Sequence, residues 1–71
     1  MKVHYYSQTD SLCIDPVDRL SVDSQEVRPG VVLDFDSEGN LVGMDIDSAR
    51  KVANLARVEI EELPASSVAL A

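Results

Sequence analysis

The sequence predicts an α+β fold: a small antiparallel β-meander of four to five short strands, with one short C-terminal helix packed on it. Three observations carry this prediction. Short runs alternate apolar and polar side chains with the period of two of a half-buried strand. Turn-forming residues separate those runs. After Asp47 the period changes to helical spacing, once only. The predicted domain covers residues 1–63, and 64–71 read as a flexible tail.

The first run is KVHYY, residues 2–6, with Val3 and Tyr5 on one face and His4 and Tyr6 on the other. SQTD, residues 7–10, supplies polar turn chemistry. SLCID, residues 11–15, alternates again, with Leu12 and Ile14 paired, so the two runs form a hairpin. Pro16 lacks an amide donor and ends the second run. Val22 to Val27 read as an edge strand, where Asp23 and Glu26 discourage pairing with other chains. Arg28-Pro29-Gly30 is a turn signal, with Pro29 and Gly30 as turn-forming residues. VVLDFD, residues 31–36, places Val31, Leu33 and Phe35 on one face. LVGMDI, residues 41–46, places Val42, Met44 and Ile46 on one face. The loop SEGN, residues 37–40, joins them as a hairpin turning at Gly39.

Asp47 or Ser48 is the expected helix cap. Ala49, Val52, Ala53 and Ala56 have helical spacing, and Arg50, Lys51 and Arg57 form the wet side. Asn54 limits that helix to about two turns. RVEIEEL, residues 57–63, alternates Val58 and Ile60 with Glu59 and Glu61; it leans towards a strand, with continued helix the alternative. Pro64 ends it.

Composition bounds the function. A chain of 71 residues is one domain at most. Such a chain buries only about 60% of its unfolded surface, so a partner or a homodimer is expected. The net charge is -7, from 13 acidic and 6 basic residues. That field repels phosphate, and no basic cluster offsets it, so direct nucleic-acid binding is not expected. Cys13 is the single cysteine, which leaves no intramolecular disulfide and no thiolate metal cluster. The N-terminus has no apolar signal core, and no apolar run reaches the roughly 20 residues of a membrane span. The expected location is the cytoplasm, with no membrane association.

The stretch DFDSEGNLVGMD, residues 34–45, has much of the spacing of a calcium loop. Asp34, Asp36 and Glu38 occupy ligand positions, Gly39 the turn position, and Asp45 the closing position. Yet Glu38 crowds a tight loop, Asp45 has a shorter arm than the usual glutamate, and the flanks read as strands rather than helices. Asp34, Asp36, Glu38 and Asp45 are therefore kept as metal candidates only. The preferred reading is a hairpin in which Gly39 supplies a positive φ and the acids face water.

Other chemistry is sparse. His4 and Cys13 can share a face across the first hairpin, but no third group completes a nucleophilic site. Asp10, Asp15, Asp18 and Asp23 read as turn chemistry and surface charge. Tyr5 and Tyr6 point oppositely, one towards the core and one towards a partner. Tyr5, Tyr6, Val58 and Ile60 are the candidate interface residues. No catalytic residue and no cofactor is assigned.

The run EVRPGVVLDFDSEGNLVGMDIDSA, with Tyr6, Asp10, Leu12 and Ile14 upstream, resembles the domain of unknown function 2283 family of small prokaryotic proteins. The resemblance covers roughly residues 1–63. Two departures stand out: Cys13 where an aromatic is common, and Ser48-Ala49 in place of Ala-Ser at the helix start. It implies a compact set of strands with a short helix, and no established activity. Some members resemble antitoxin partners of small toxin-like proteins. Charge, size and resemblance together lead to the expectation of a non-enzymatic protein-interaction module, antitoxin-like or accessory to a basic partner. The alternative is a small ligand- or divalent-metal-binding protein using the acidic hairpin 34–45.

Overall fold

A computed structural model describes residues 1–70. Five strands form one antiparallel sheet: β1 (Lys2–Tyr6), β2 (Ser11–Asp15), β3 (Asp23–Arg28), β4 (Val31–Phe35) and β5 (Leu41–Ile46). A single helix follows, α1 (Ala49–Val52). The predicted α+β fold is the one observed. The strand order is β1-β2-β5-β4-β3. Thus β1–β2 is one hairpin and β3–β4–β5 a meandering trio. The 16–22 segment carries the chain from β2 to the far edge, so that β5 returns to pair with β2 and becomes the central strand.

The register sorts the side chains. Val3 pairs with Ile14, Tyr5 with Leu12, Ile14 with Met44, Leu12 with Ile46, Val31 with Ile46, and Leu33 with Met44. These residues share one face because directly opposite positions in a pair point the same way. His4 pairs with Cys13, Cys13 with Asp45, Asp45 with Val32, and Val32 with Glu26. This row lies on the other face, to which Asp15 and Asp34 also belong by alternation.

The tight turns follow their glycines. Gly30 sits at φ 82 after Pro29, the pairing that a type II turn demands. The β3–β4 register shifts next to it, between Glu26 and Arg28. At the other hairpin the Asp36 N–H donates to Asn40 O at 2.9 Å, and the Gly39 N–H donates to Asp36 O at 3.1 Å. With Gly39 at φ 82, this is a three-residue loop, one residue shorter than expected, closed by a left-handed glycine.

Two predictions near the C-terminus are corrected. The helix is one turn, and Ala53 is already extended at φ -139. Ser48 stands at the cap in a left-handed conformation and makes no side-chain cap bond. Residues 57–63 form neither strand nor helix. Alternation gives a strand its two faces but not its neighbour. The free edge at β3 carries Asp23 and Glu26, and a strand bearing Glu59 and Glu61 would set like charges against it. Arg57 bonds Glu59 locally instead, Nε to Oε1 at 3.1 Å. The expected tail includes Ala71, which lies outside the described residues.

Among the described residues, Val42 and Ala49 are the only buried apolar ones. The extended contacts run between neighbouring strands. The molecule is therefore a one-layer plate, 31 × 31 × 20 Å.

Candidate functional site

The face opposite Leu33 and Met44 is where titratable groups gather. It begins with a backbone requirement. A Cβ on Gly43 would stand 2.8 Å from Asp34 Oδ2 and 3.3 Å from Asp34 Cβ. Glycine in mid-strand is unfavourable by itself; here it lets the Asp34 carboxyl lie across β5. Asp34 Oδ1 accepts the Ser24 hydroxyl at 2.6 Å. Asp45 pairs with Cys13 across β2 and β5 and stands beside Asp34 on the same face.

The electrostatics follow from this packing. Partial burial raises the Asp45 carboxyl above its ordinary value, and neighbouring Asp34 and Asp15 add to the effect, while the Cys13 thiol opposes it. Burial also pushes the Cys13 thiol up to about 11, reinforced by Asp45, Asp15 and Asp34. A thiol held so far from its thiolate is a poor nucleophile at neutral pH. His4 does pair with Cys13, as the sequence allowed. Its ring lies 4.3 Å from the Tyr6 ring, centroid to centroid.

The hairpin tip is built differently. Asp36 Oδ1 accepts the N–H of Glu38 and of Asn40, each at 2.9 Å, and Oδ2 accepts Asn40 Nδ2 at 3.2 Å. Arg19 approaches Oδ2 at 3.5 Å. The Asn40 amide first, with these other donors, lowers the Asp36 carboxyl. The four metal candidates are therefore divided. Asp34 and Asp45 meet on the sheet, Asp36 is spent on its own loop, and Glu38 stays exposed. The flanks are strands, not helices. Among the described residues, no group of three or more His, Cys, Asp or Glu side chains is placed to hold a metal ion.

Asp10 is the residue whose role the sequence hid. It stands left-handed at φ 53. Its carboxylate accepts the Tyr5 hydroxyl at 2.7 Å and the Arg50 N–H at 3.3 Å, and its carbonyl accepts the Ala49 N–H at 2.9 Å. Arg50 Nε donates to the Tyr5 hydroxyl at 3.1 Å. Asp10 thus caps α1 from the first hairpin, in place of Asp47 or Ser48. The Asp10 hydrogen bond raises the Tyr5 hydroxyl above its ordinary value. The candidate interface residues also separate. Tyr5 belongs to this clasp, whereas Tyr6, Val58 and Ile60 are exposed.

An open groove of about 380 Å³ lies beside the start of β1, lined by Lys2, Asp15, Asp18, Arg19 and Val42 among others. Among the described residues, no helix is long and apolar enough to cross a membrane.

These features define an acidic, one-layer antiparallel sheet protein with Asp15, Glu26, Asp34 and Asp45 on one face. The family model described as Protein of unknown function (DUF2283) matches residues 2–50, which is more than half of the 71-residue chain. The chain belongs to that family. No curated protein and no solved structure matches it.

Proposed function

We propose that this chain is a non-enzymatic protein-interaction module whose acidic sheet face receives a basic protein partner, in an antitoxin-like or accessory role. One observation carries the reading: Asp15, Asp34, Asp45 and Glu26 lie on a single face of the sheet. Asp34 and Asp45 repel each other there, which costs the free chain stability. A cationic side chain from a partner relieves that repulsion and gains charge-assisted hydrogen bonds. Burial pushes the Cys13 thiol of that face up to about 11, away from its nucleophilic form. The divalent-metal alternative has less support, because Asp36 already directs its oxygens at loop donors.

The test is capture from the native host at low salt, using the unaltered chain and an Asp15→Asn, Asp34→Asn, Asp45→Asn triple variant. The expected captured protein is basic, elutes with added salt, and is lost with the triple variant. Capture that ignores salt and the three substitutions overturns the reading. A thermal melt that rises with calcium, magnesium or manganese would favour the metal alternative.

A further inference from the structure

The second face of the sheet poses a separate problem. Leu12, Ile14, Val31, Leu33, Met44 and Ile46 form a continuous, half-buried apolar surface across β2, β5 and β4. None of the six is buried. A sheet normally buries its apolar face against a second layer, and here α1 is a single turn held at one corner by Asp10.

The area measures the deficit. The accessible surface is 6005 Å². A compact monomer of 7.7 kDa exposes about 4,300 Å² by the usual scaling of surface with mass. The excess is about 1,700 Å², against roughly 800 Å² per partner in a standard interface. The exposed 53–70 segment supplies part of that excess, and the half-buried apolar residues of this face supply another part.

We infer that the missing layer is a second copy of this chain, packed apolar face to apolar face as a two-sheet sandwich with β5 near the two-fold axis. Charge placement selects the self-copy. On β1, β2, β4 and β5 the residues of this face are Val3, Tyr5 and the apolar side chains above, with Phe35; none is charged. β3 adds the charge of Asp23, opposite Phe35 at the sheet edge; a basic partner finds little else here to recognise, while two strongly acidic chains can meet because their other sheet carboxylates point away from the contact. A two-fold contact also closes on itself. The inference deepens the interaction-module reading, since the dimer leaves both acidic faces outward for partners.

The test uses the full chain alone. Sedimentation equilibrium is expected to give twice the chain mass, with tighter association at high salt as repulsion is screened. Isotope-filtered NOEs on a mixture of labelled and unlabelled chains are expected between methyl groups of Ile14, Leu33 and Met44. Val3 is already 61% exposed on this face, so Val3→Glu spares the single-chain fold. It is expected to weaken the dimer roughly tenfold or more by setting like charges at the contact. Tyr6→Glu, on the other face, is expected to leave it unchanged. A monomer mass up to millimolar concentration overturns the inference. So does a dimer whose intermolecular NOEs fall on Val32 and Cys13, or one indifferent to Val3→Glu. Failure here leaves the acidic-face reading standing, because that reading is decided by salt-sensitive capture and the three aspartate substitutions.

Discussion

Asp36 and Asp45 belong to one hairpin, yet their surroundings drive them in opposite directions. At the tip, Asp36 is encircled by donors: two backbone amides, the Asn40 side chain and Arg19. Its charged form is the favoured one, and its carboxyl is lowered. In the middle of the sheet, partial burial and two other carboxyls raise Asp45 against the opposing pull of the Cys13 thiol. The contrast teaches that an acidic stretch with ligand-like spacing is not one electrostatic object. The tip is a finished structure that uses its carboxylate to hold a loop. The sheet face is an unfinished one, with acid beside acid and, among the described residues, only Lys2, opposite Asp15 at its edge, as a cation.

Substitutions at the two glycines test that contrast most directly. Gly43→Val drives branched carbons into Asp34 in mid-sheet and is expected to cost about 2–3 kcal/mol in denaturant unfolding. Adding Asp34→Ala should restore much of the loss, whereas additive costs would break the claim that Gly43 serves the carboxyl. At the tip, Gly39 has no atom near its absent Cβ and the cost is conformational. Gly39→Ala should therefore cost about 1–2 kcal/mol, and Gly39→Asn clearly less, since asparagine tolerates the left-handed region.

The two aspartates sharpen the comparison through pH. The folded Asp36 carboxyl lies below its unfolded value, so its contribution to stability is present above the ordinary carboxylate range and is lost as pH falls through the folded value. Asp36→Asn should flatten that acid limb of the stability profile. The folded Asp45 carboxyl lies above its unfolded value, so its contribution is present at low pH and is lost as pH rises through the folded value. Asp45→Asn should thus stabilise the chain at neutral pH, by about 0.5 kcal/mol at this partly solvated site. It should also quicken alkylation of Cys13. With the thiol raised from 9.0 to about 11, the folded protein should react at pH 8 on the order of a hundredfold more slowly than the denatured chain. Equal rates would show that the thiol and its aspartate are not packed together.

Much of the hairpin was readable beforehand. Val31, Leu33 and Phe35 against Met44 and Ile46, with Gly39 between, left little choice of register, because a slip of one residue would expose the whole apolar set. The meeting of Asp34 with Asp45 was less readable. Spacing offered both as candidates for one site with Asp36, but the loop amides claimed Asp36 first, and amide direction is not visible in residue order. Gly43 was a usable clue: a glycine within an otherwise apolar strand marks a close approach. Asp10 gave weaker notice, as an aspartate beside a turn usually serves only that turn.

Taken alone, the sequence determined the local elements: where the strands run, which faces they own, and where Pro29, Gly30 and Gly39 reverse the chain. Periodicity and backbone sterics act over a few residues, so nearby residues suffice to set them. Tertiary structure decided the strand order, the capping of α1 by Asp10, the irregular course of 57–63, and the opposite fates of Asp36 and Asp45. Each of these depends on groups far apart in the chain, where the outcome rests on which donor, charge or strand edge arrives to meet them.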